Sequence, residues 1–300
     1  MKAIFIVGPT AVGKTDLAFG ISKVIPSILI SADSVQAYRG ADIISGKDKS
    51  VKTYLLDVAP ATQPFSVRDF VENVRHIVKK ARLEGRIPIV VGGTGFYIDA
   101  LFRKIDTLSI PPNQVLREKL EKLTVKKLQE KLKKLSLDRF LKMNKSDVSN
   151  KRRLIRAIEI AQSKKRNIKS DESIFNPSEV LIIGLKASMD NLRKRIADRV
   201  EKRLAIGAVD EAKELFKEYE HLSPQLKTAN GYRQLFEYLK GKLTYNVAKE
   251  AWINSEVKTA RNQMTWLKKN KNIKWFDIGK RDLESRISKL IEEEFVLGRE

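Results

Sequence analysis

The residues best suited to chemistry begin near the start of the chain. Gly8-Pro9-Thr10-Ala11-Val12-Gly13-Lys14-Thr15 sets two glycines around four residues and follows the second with Lys and Thr. Glycines at those places let successive backbone N–H groups close around an oxyanion, and a helix beginning there adds positive potential. Lys14 supplies a point charge, and the Thr15 hydroxyl can serve a phosphate oxygen or its Mg²⁺. The pattern predicts diphosphate binding by Gly8, Thr10, Ala11, Val12, Gly13, Lys14 and Thr15, with Thr15 as the metal ligand. It does not imply ATP hydrolysis, and an ordinary strand-to-helix turn is the plainer alternative. Asp33, in Ile30-Ser31-Ala32-Asp33-Ser34, follows a second apolar run. Its place suits a general base or a metal-binding carboxylate, and a helix cap fits equally well. Asp57 also follows an apolar run, and a structural role is the better reading there. Val91-Gly92-Gly93-Thr94-Gly95-Phe96-Tyr97 reads alone as a tight turn, but beside a phosphate loop the Thr94 hydroxyl could meet a leaving diphosphate oxygen.

Positioning these groups requires a sheet. Ala3–Val7, Ile28–Ala32, Tyr54–Val58 and Ile87–Val91 are short β-rich runs separated by helical patterns, and Ser66-Val67-Arg68-Asp69 has the form of a capping box. Alternation of this kind predicts an α/β fold with a parallel sheet and helices on its faces, here a P-loop NTPase-like core. The carboxyl edge of such a sheet is the usual ligand side. From Pro111-Pro112 the chain turns Lys/Leu-rich, with Leu116, Leu120, Leu123, Leu128, Leu132 and Leu135 at helical spacing. Val180–Leu185 reads as a strand returning to the core, followed by helices at about 190–205, 208–219, 231–240 and 245–269. The expected domains are the first part of the core at 1–110, an inserted basic helical lobe at 111–178, and completion of the core with C-terminal helices at 179–300.

The 300 residues are 42% hydrophobic, enough to bury a sizeable core. With no cysteine, disulfides, thiolate metal sites and a Cys nucleophile are excluded. The apolar start is only five residues long and enters the glycine loop, unlike a signal peptide, and no run approaches the roughly 20 apolar residues that span a bilayer. A soluble cytoplasmic protein without a membrane partner is expected. The formal charge of +22 implies a field that a polyanion would feel, and residues 117 to 169 hold 19 Lys/Arg against 6 Asp/Glu. Within that stretch Lys151-Arg152-Arg153-Leu154-Ile155-Arg156 sets Arg152 and Arg156 one turn apart, with Leu154, Ile155 and Ile158 facing inward. Such a helix suits phosphate contact, and a solvated basic face is the alternative.

Several segments, in order and across nearly the whole chain, resemble the tRNA dimethylallyltransferase (tRNA isopentenyltransferase) family. They are Gly8–Thr15, Ser31-Ala32-Asp33-Ser34-Val35-Gln36-Ala37-Tyr38-Arg39-Gly40-Ala41-Asp42-Ile43, Gly92-Gly93-Thr94, Arg152–Glu159, Gly231-Tyr232-Arg233-Gln234 and Gln263-Met264-Thr265-Trp266. The resemblance implies transfer of a dimethylallyl group from dimethylallyl diphosphate, usually with Mg²⁺, to N6 of the adenosine 3′-adjacent to the anticodon (position 37) of tRNA. It implies Asp33 as base and Thr94 as stabiliser of the leaving diphosphate, with Asp33, Ser34, Val35 and Gln36 contacting the extruded base. It further implies that the anticodon stem-loop is held by Arg117, Arg152, Arg153 and Arg156 in the lobe and by Gly231, Tyr232, Arg233, Arg261, Gln263 and Trp266 in the C-terminal helices. An asymmetric clamp of this kind works as a monomer. Two stretches depart from the family pattern: Ile44-Ser45-Gly46-Lys47-Asp48 replaces Gly-Thr-Ala-Lys-Pro, and Asn262 stands where an Arg precedes the Gln.

Overall fold

The structure is a computed structural model and describes residues 2–103, 107, 110–163 and 173–296. It divides into two compact units, Met1–Arg103 with Ser173–Glu300, and Lys104–Glu172.

In the first unit β1 (Ala3–Val7), α1 (Lys14–Val24), β2 (Ser27–Ser31), β3 (Thr53–Tyr54), α2 (Val67–Leu83), β4 (Ile87–Gly92) and α3 (Gly95–Phe102) come from the first segment. The six-stranded sheet has the order β3-β2-β4-β1-β5-β6, where β5 is Val180–Lys186 and β6 is Ile273–Asp277, and every pairing is parallel. Both β1 and β2 are buried along their whole length, as strands covered on both faces must be. The expected capping box opens α2: Ser66 Oγ accepts from Asp69 N and Asp69 Oδ2 accepts from Ser66 N, at 3.3 and 2.7 Å. That helix buries Phe70, Val74, Ile77 and Ala81, and Phe70 stacks on Tyr97 of α3.

Parallel pairing sends every strand toward one edge, and the register sets Val7 beside both Gly92 and Gly184 and Ser31 beside Val91. The loops after β1, β2 and β4 therefore leave the sheet side by side. Because β1 lies between β4 and β5, while the chain runs from β1 to β2 beyond β4, this edge is also where the strand order reverses.

The second unit is helical: α4 (Gln114–Glu121), α5 (Val125–Leu135), α6 (Leu137–Leu141), α7 (Lys145–Val148) and α8 (Lys151–Gln162). Leu120, Leu128, Leu132, Leu154, Ile155 and Ile158 form its core, with Leu116 and Leu123 packed around it. The first unit is completed by α9 (Met189–Ala205), α10 (Ala208–Phe216), α11 (Pro224–Thr228), α12 (Tyr232–Leu239), α13 (Tyr245–Leu267) and α14 (Leu283–Ile291). Among the described residues no helix is long and apolar enough to cross a membrane.

Four details differ from the sequence expectation. The run Tyr54–Val58 pairs only at Thr53–Tyr54, since Leu55 and Asp57 take positive φ values of 68° and 57° and leave the extended region. Leu135, at the end of α5, is 41% exposed instead of buried. Phe175, expected in the lobe, is buried in the first unit edge-on to Phe5. The edge strand β6 has no counterpart in the expectation. Residues 164–169 of the basic stretch lie outside the described residues.

Candidate active site at the sheet edge

The glycine loop has the backbone its sequence demands. Gly8 sits at φ 153°, and a Cβ there would lie 2.6 Å from the Leu185 carbonyl oxygen, so no side chain fits. Ala11 takes φ 62°, and Gly13, at φ 93°, begins α1 without a side-chain cap, leaving the first N–H groups of the helix turned toward the loop. Lys14 Nζ donates to the Pro9 carbonyl at 2.7 Å. Burial, and then the Arg199 guanidinium, pull its ammonium down from 10.5 to about 8, against Asp33 and Glu256, which favour the charged form. Lys14 and Thr15 line a cavity of about 250 Å³ that also exposes Asp33 and Thr94.

Thr10 departs from its expected role as a diphosphate contact. Its N–H donates to Gln263 Oε1 at 2.8 Å, and its hydroxyl donates to Glu256 Oε2 at 3.1 Å while accepting from Arg199 Nη2 at 2.6 Å. Both polar groups are already engaged by helices, so Thr10 ties the loop to α9 and α13.

Asp33 stands just beyond β2, beside the same cavity. Its Oδ1 accepts from Val35 N at 2.9 Å and Gln36 N at 3.4 Å, a local turn that fixes the carboxylate's direction. Ser34, Val35 and Gln36 line the cavity with it. Gln36 bridges two elements: Oε1 accepts from Ser31 Oγ at 2.7 Å, and Nε2 donates to the Gly46 carbonyl at 3.2 Å. The loop carrying Gly46 is the one that departs from the family pattern, yet it is firmly built. The Glu211 carboxylate of α10 accepts from the N–H groups of Asp42, Ile43 and Ile44 at 2.8, 2.5 and 3.0 Å. Lys47, with no exposed side-chain surface, pairs with Asp42 and Asp57 at 2.7 and 2.5 Å. Asp57 is thus a loop anchor; burial opposes its charge, but hydrogen bonds from Lys47 and Lys49 prevail and hold its carboxyl below the usual range.

Thr94 precedes α3 with φ −78° and ψ 89°, and its hydroxyl caps no helix N–H. That leaves the hydroxyl at the cavity wall. The turn around it lies tight against α13: a Cβ on Gly93 would strike Gln263, and one on Gly95 would strike the Trp266 ring. Gln263 and Trp266, expected to touch RNA, therefore pack against the phosphate loop and the Thr94 turn, and Gln263 also lines the cavity.

Three arginines of α9, not expected from the sequence, join the site. Arg195, Arg199 and Arg203 are spaced one turn apart, and all three line a second cavity, of about 480 Å³, against the phosphate loop. Arg195 Nε donates to the Ala11 carbonyl at 2.8 Å, and Arg199 Nε is buried without a partner. Burial, then the charge of Arg199, lowers Arg203 to about 10. Their i, i+4, i+8 spacing was the available signal. Glu211 and Glu256 had none, since their partners are distant in sequence.

The expected RNA contacts divide by burial. Gly231 is buried, and Tyr232 has no exposed surface and donates its hydroxyl to Glu211 at 2.5 Å, so both are scaffold. Arg233 and Arg261 are exposed. In the helical unit Arg117 forks onto Glu159 at 2.7 and 2.8 Å, and Arg156 donates to the same carboxylate at 3.1 Å and to the Thr107 and Ile110 carbonyls at 2.8 Å. Those two guanidiniums brace the lobe. Arg152 and Arg153 are exposed, and Arg153 is paired with Asp147. Among the described residues no group of three or more His, Cys, Asp or Glu gathers to hold a metal ion.

A model of the IPP transferase family matches residues 36–270. The chain is 36% identical to a tRNA dimethylallyltransferase of Ligilactobacillus salivarius over 92% of its own length and 93% of the relative's, and 35% identical to one of Clostridioides difficile over 92% and 91%. The crystal structure of a full-length tRNA isopentenylpyrophosphate transferase from Bacillus halodurans is 31% identical, with a TM-score of 0.70 over 100% of this chain and 99% of that one. A eukaryotic dimethylallyltransferase acting on tRNA, at 22% identity, shares the fold with a TM-score of 0.79 over 100% of this chain and 80% of its own. With the family model spanning most of its length and such relatives nearly end to end, this chain belongs to the IPP transferase family.

Proposed function

We propose that this protein transfers a dimethylallyl group from dimethylallyl diphosphate to the exocyclic N6 of the adenosine 3′-adjacent to the anticodon of tRNA, releasing diphosphate. The observation that carries the proposal is the meeting of an anion-binding loop, the Asp33 carboxylate and the uncapped Thr94 hydroxyl around one cavity at one sheet edge.

The adenine amine is a weak nucleophile because its lone pair is delocalised into the ring. In the transfer an N6–carbon bond forms, the allylic carbon–oxygen bond breaks with its electron pair going to the diphosphate, and the N6 proton passes to Asp33. The turn that Val35 N and Gln36 N impose on Asp33 holds the acceptor oxygen in place before substrate arrives. Charge grows on the diphosphate, where the loop amides from Ala11 to Lys14, the protonated Lys14 ammonium and the Thr94 hydroxyl would stabilise it. Arg195, Arg199 and Arg203 surround the same loop and add to that field.

Mg²⁺ fits this reading. It needs few protein ligands when substrate phosphates and waters supply oxygens, and Thr15 offers a hard hydroxyl oxygen at the cavity wall. The ion would neutralise charge on the departing diphosphate.

The acceptor must leave its stack to reach a cavity of this size. We assign tRNA contact to the exposed Arg152, Arg153, Arg233 and Arg261, with Arg117 and Arg156 bracing the lobe that presents the first pair. A cytoplasmic monomer suffices for this activity. The test is transfer of radiolabel from dimethylallyl diphosphate to an anticodon stem-loop bearing consecutive adenosines, with ATP and AMP as controls. Label in the RNA supports the proposal; turnover of ATP or label only in AMP refutes it.

A further inference from the structure

Glu256 is a buried carboxylate beside a loop built for anions. Its side chain is 9% exposed, and it lies on α13 two turns before Gln263, so one face of that helix meets Thr10 twice: Gln263 takes the backbone N–H, and Glu256 takes the hydroxyl. Glu256 Oε2 also accepts from Arg199 Nη2 at 3.2 Å, and its Oε1 accepts from Nε1 of Trp252, which is fully buried. A negative charge here opposes a diphosphate by simple repulsion. It therefore needs a compensating use. Arg199 is 28% exposed at its side chain, lines both cavities and keeps a buried Nε without a partner.

We propose that Glu256 is a positioning residue for the transfer reaction: anchored by Trp252, it holds the Arg199 guanidinium and the Thr10 hydroxyl against the phosphate loop, so that Arg199 meets the diphosphate already aimed. This rests on the diphosphate reading of the loop. Without the carboxylate, the neighbouring cations Lys14 and Arg203 lose one of the two acids, Asp33 and Glu256, whose charge acts on both of them. Lys14 faces Asp33 beyond β2, Arg199 on α9 and Glu256 on α13, and of these Asp33 and Glu256 favour its charged form.

The test is calorimetric binding of inorganic diphosphate to the full chain. Glu256→Ala should weaken binding about tenfold, the worth of one charge-assisted hydrogen bond, and should add little in an Arg199→Ala background, where nothing remains to be aimed. Equal cost in both backgrounds, or tighter binding by Glu256→Ala, would overturn the proposal; tighter binding would show that the carboxylate acts as a repelling charge. Glu256→Gln keeps the shape of the side chain and guards against misfolding. Its amide oxygen can still accept from Arg199 or Thr10, so it should bind diphosphate more tightly than Glu256→Ala does; affinity no better than that of Glu256→Ala would count against the role. Failure of the wild type itself to bind diphosphate would remove both this proposal and the diphosphate reading, whereas wild-type binding unchanged in both Glu256 variants would remove only this one.

Discussion

The phosphate-loop edge and the helical unit both concentrate cationic side chains, but they hold them differently. On α9 the arginines point at cavities, and one of them, Arg199, keeps a buried Nε without a partner. In the helical unit Arg117 and Arg156 are spent on Glu159, whose side chain is 1% exposed, and the solvated pair Arg152 and Arg153 stands outside that brace. The first arrangement gathers cationic donors around cavities and keeps at least one of them, Arg199 Nε, desolvated and uncommitted. The second uses buried charge for architecture and leaves recognition to exposed groups whose effects are diffuse and salt-dependent. Substitutions at the edge should accordingly change the chemistry, and those in the helical unit should change stability or RNA affinity.

The largest effect is expected at Asp33. Asp33→Ala should slow single-turnover transfer by about 10²–10⁴-fold, the usual cost of a lost general base, while stem-loop binding by filter assay stays near wild type. Transfer at the wild-type rate would remove Asp33 from the mechanism and dissolve the contrast between the two regions.

Next comes the brace. Burial opposes the charge of Glu159, but the bonds from Arg117, Asn113 N and Arg156 prevail and hold its carboxyl below the ordinary range. Glu159→Ala leaves two guanidiniums and a backbone N–H without their acceptor, which should cost about 2–3 kcal/mol, less than for a fully buried pair because both arginines are partly exposed. Urea unfolding of the full chain would show it. A cost near zero would mean that Glu159 is not what fixes the two arginines. Since its folded pKa is depressed, its contribution is present above the ordinary glutamate range and is lost as the pH falls through the lowered value.

How far the sequence disclosed these two arrangements follows from the range of the interactions. Strands β1, β2, β4 and β5, the phosphate loop and the α2 capping box were legible because each is written in contiguous residues, whereas the edge strand β6 was not foreseen. The shortness of β3 was not legible, because it depends on positive φ at Leu55, a residue type that ordinarily avoids that region, and at Asp57. The Arg-rich start of α8 was visible as a pattern, but whether an arginine there is a brace or a free donor depends on where Glu159 points, and Glu159 looked like any helix-surface acid. The same holds for Tyr232, legible as a motif residue and misassigned to the surface, since its partner Glu211 reaches it from α10. The α9 arginines were within reach of a spacing argument, whereas the buried acids that organise them were not.

A titration sharpens the comparison at the edge. Lys14, lowered from 10.5 to about 8, is protonated at neutral pH and loses its charge as the pH rises through about 8. Because the unfolded chain binds the proton more tightly, the penalty is full below about pH 8 and is relieved as the pH climbs toward 10.5, so the free protein gains stability across that window. Donor binding should move the opposite way. We expect kcat/KM for dimethylallyl diphosphate to fall up to about tenfold per pH unit above pH 8, as one required proton is lost. Lys14→Arg should give a lower plateau without that limb. A limb unchanged in Lys14→Arg would assign the titration to another group.

The smallest effect is expected at the exposed pair of the helical unit. Arg152→Ala should weaken stem-loop binding only a few-fold and flatten the dependence of log Kd on log salt by about one unit for each phosphate it no longer neutralises. It should leave transfer from the bound complex unchanged, because this side chain belongs to the helical unit and the reacting groups to the sheet edge. Arg156→Ala offers the internal contrast, since its guanidinium serves Glu159 and two backbone carbonyls: its main deficit should appear as lower stability, with little change in salt slope. If Arg156→Ala instead reduced the salt slope as much as Arg152→Ala does, the brace would also bind a phosphate, and the division between architectural and recognising arginines would have to be redrawn.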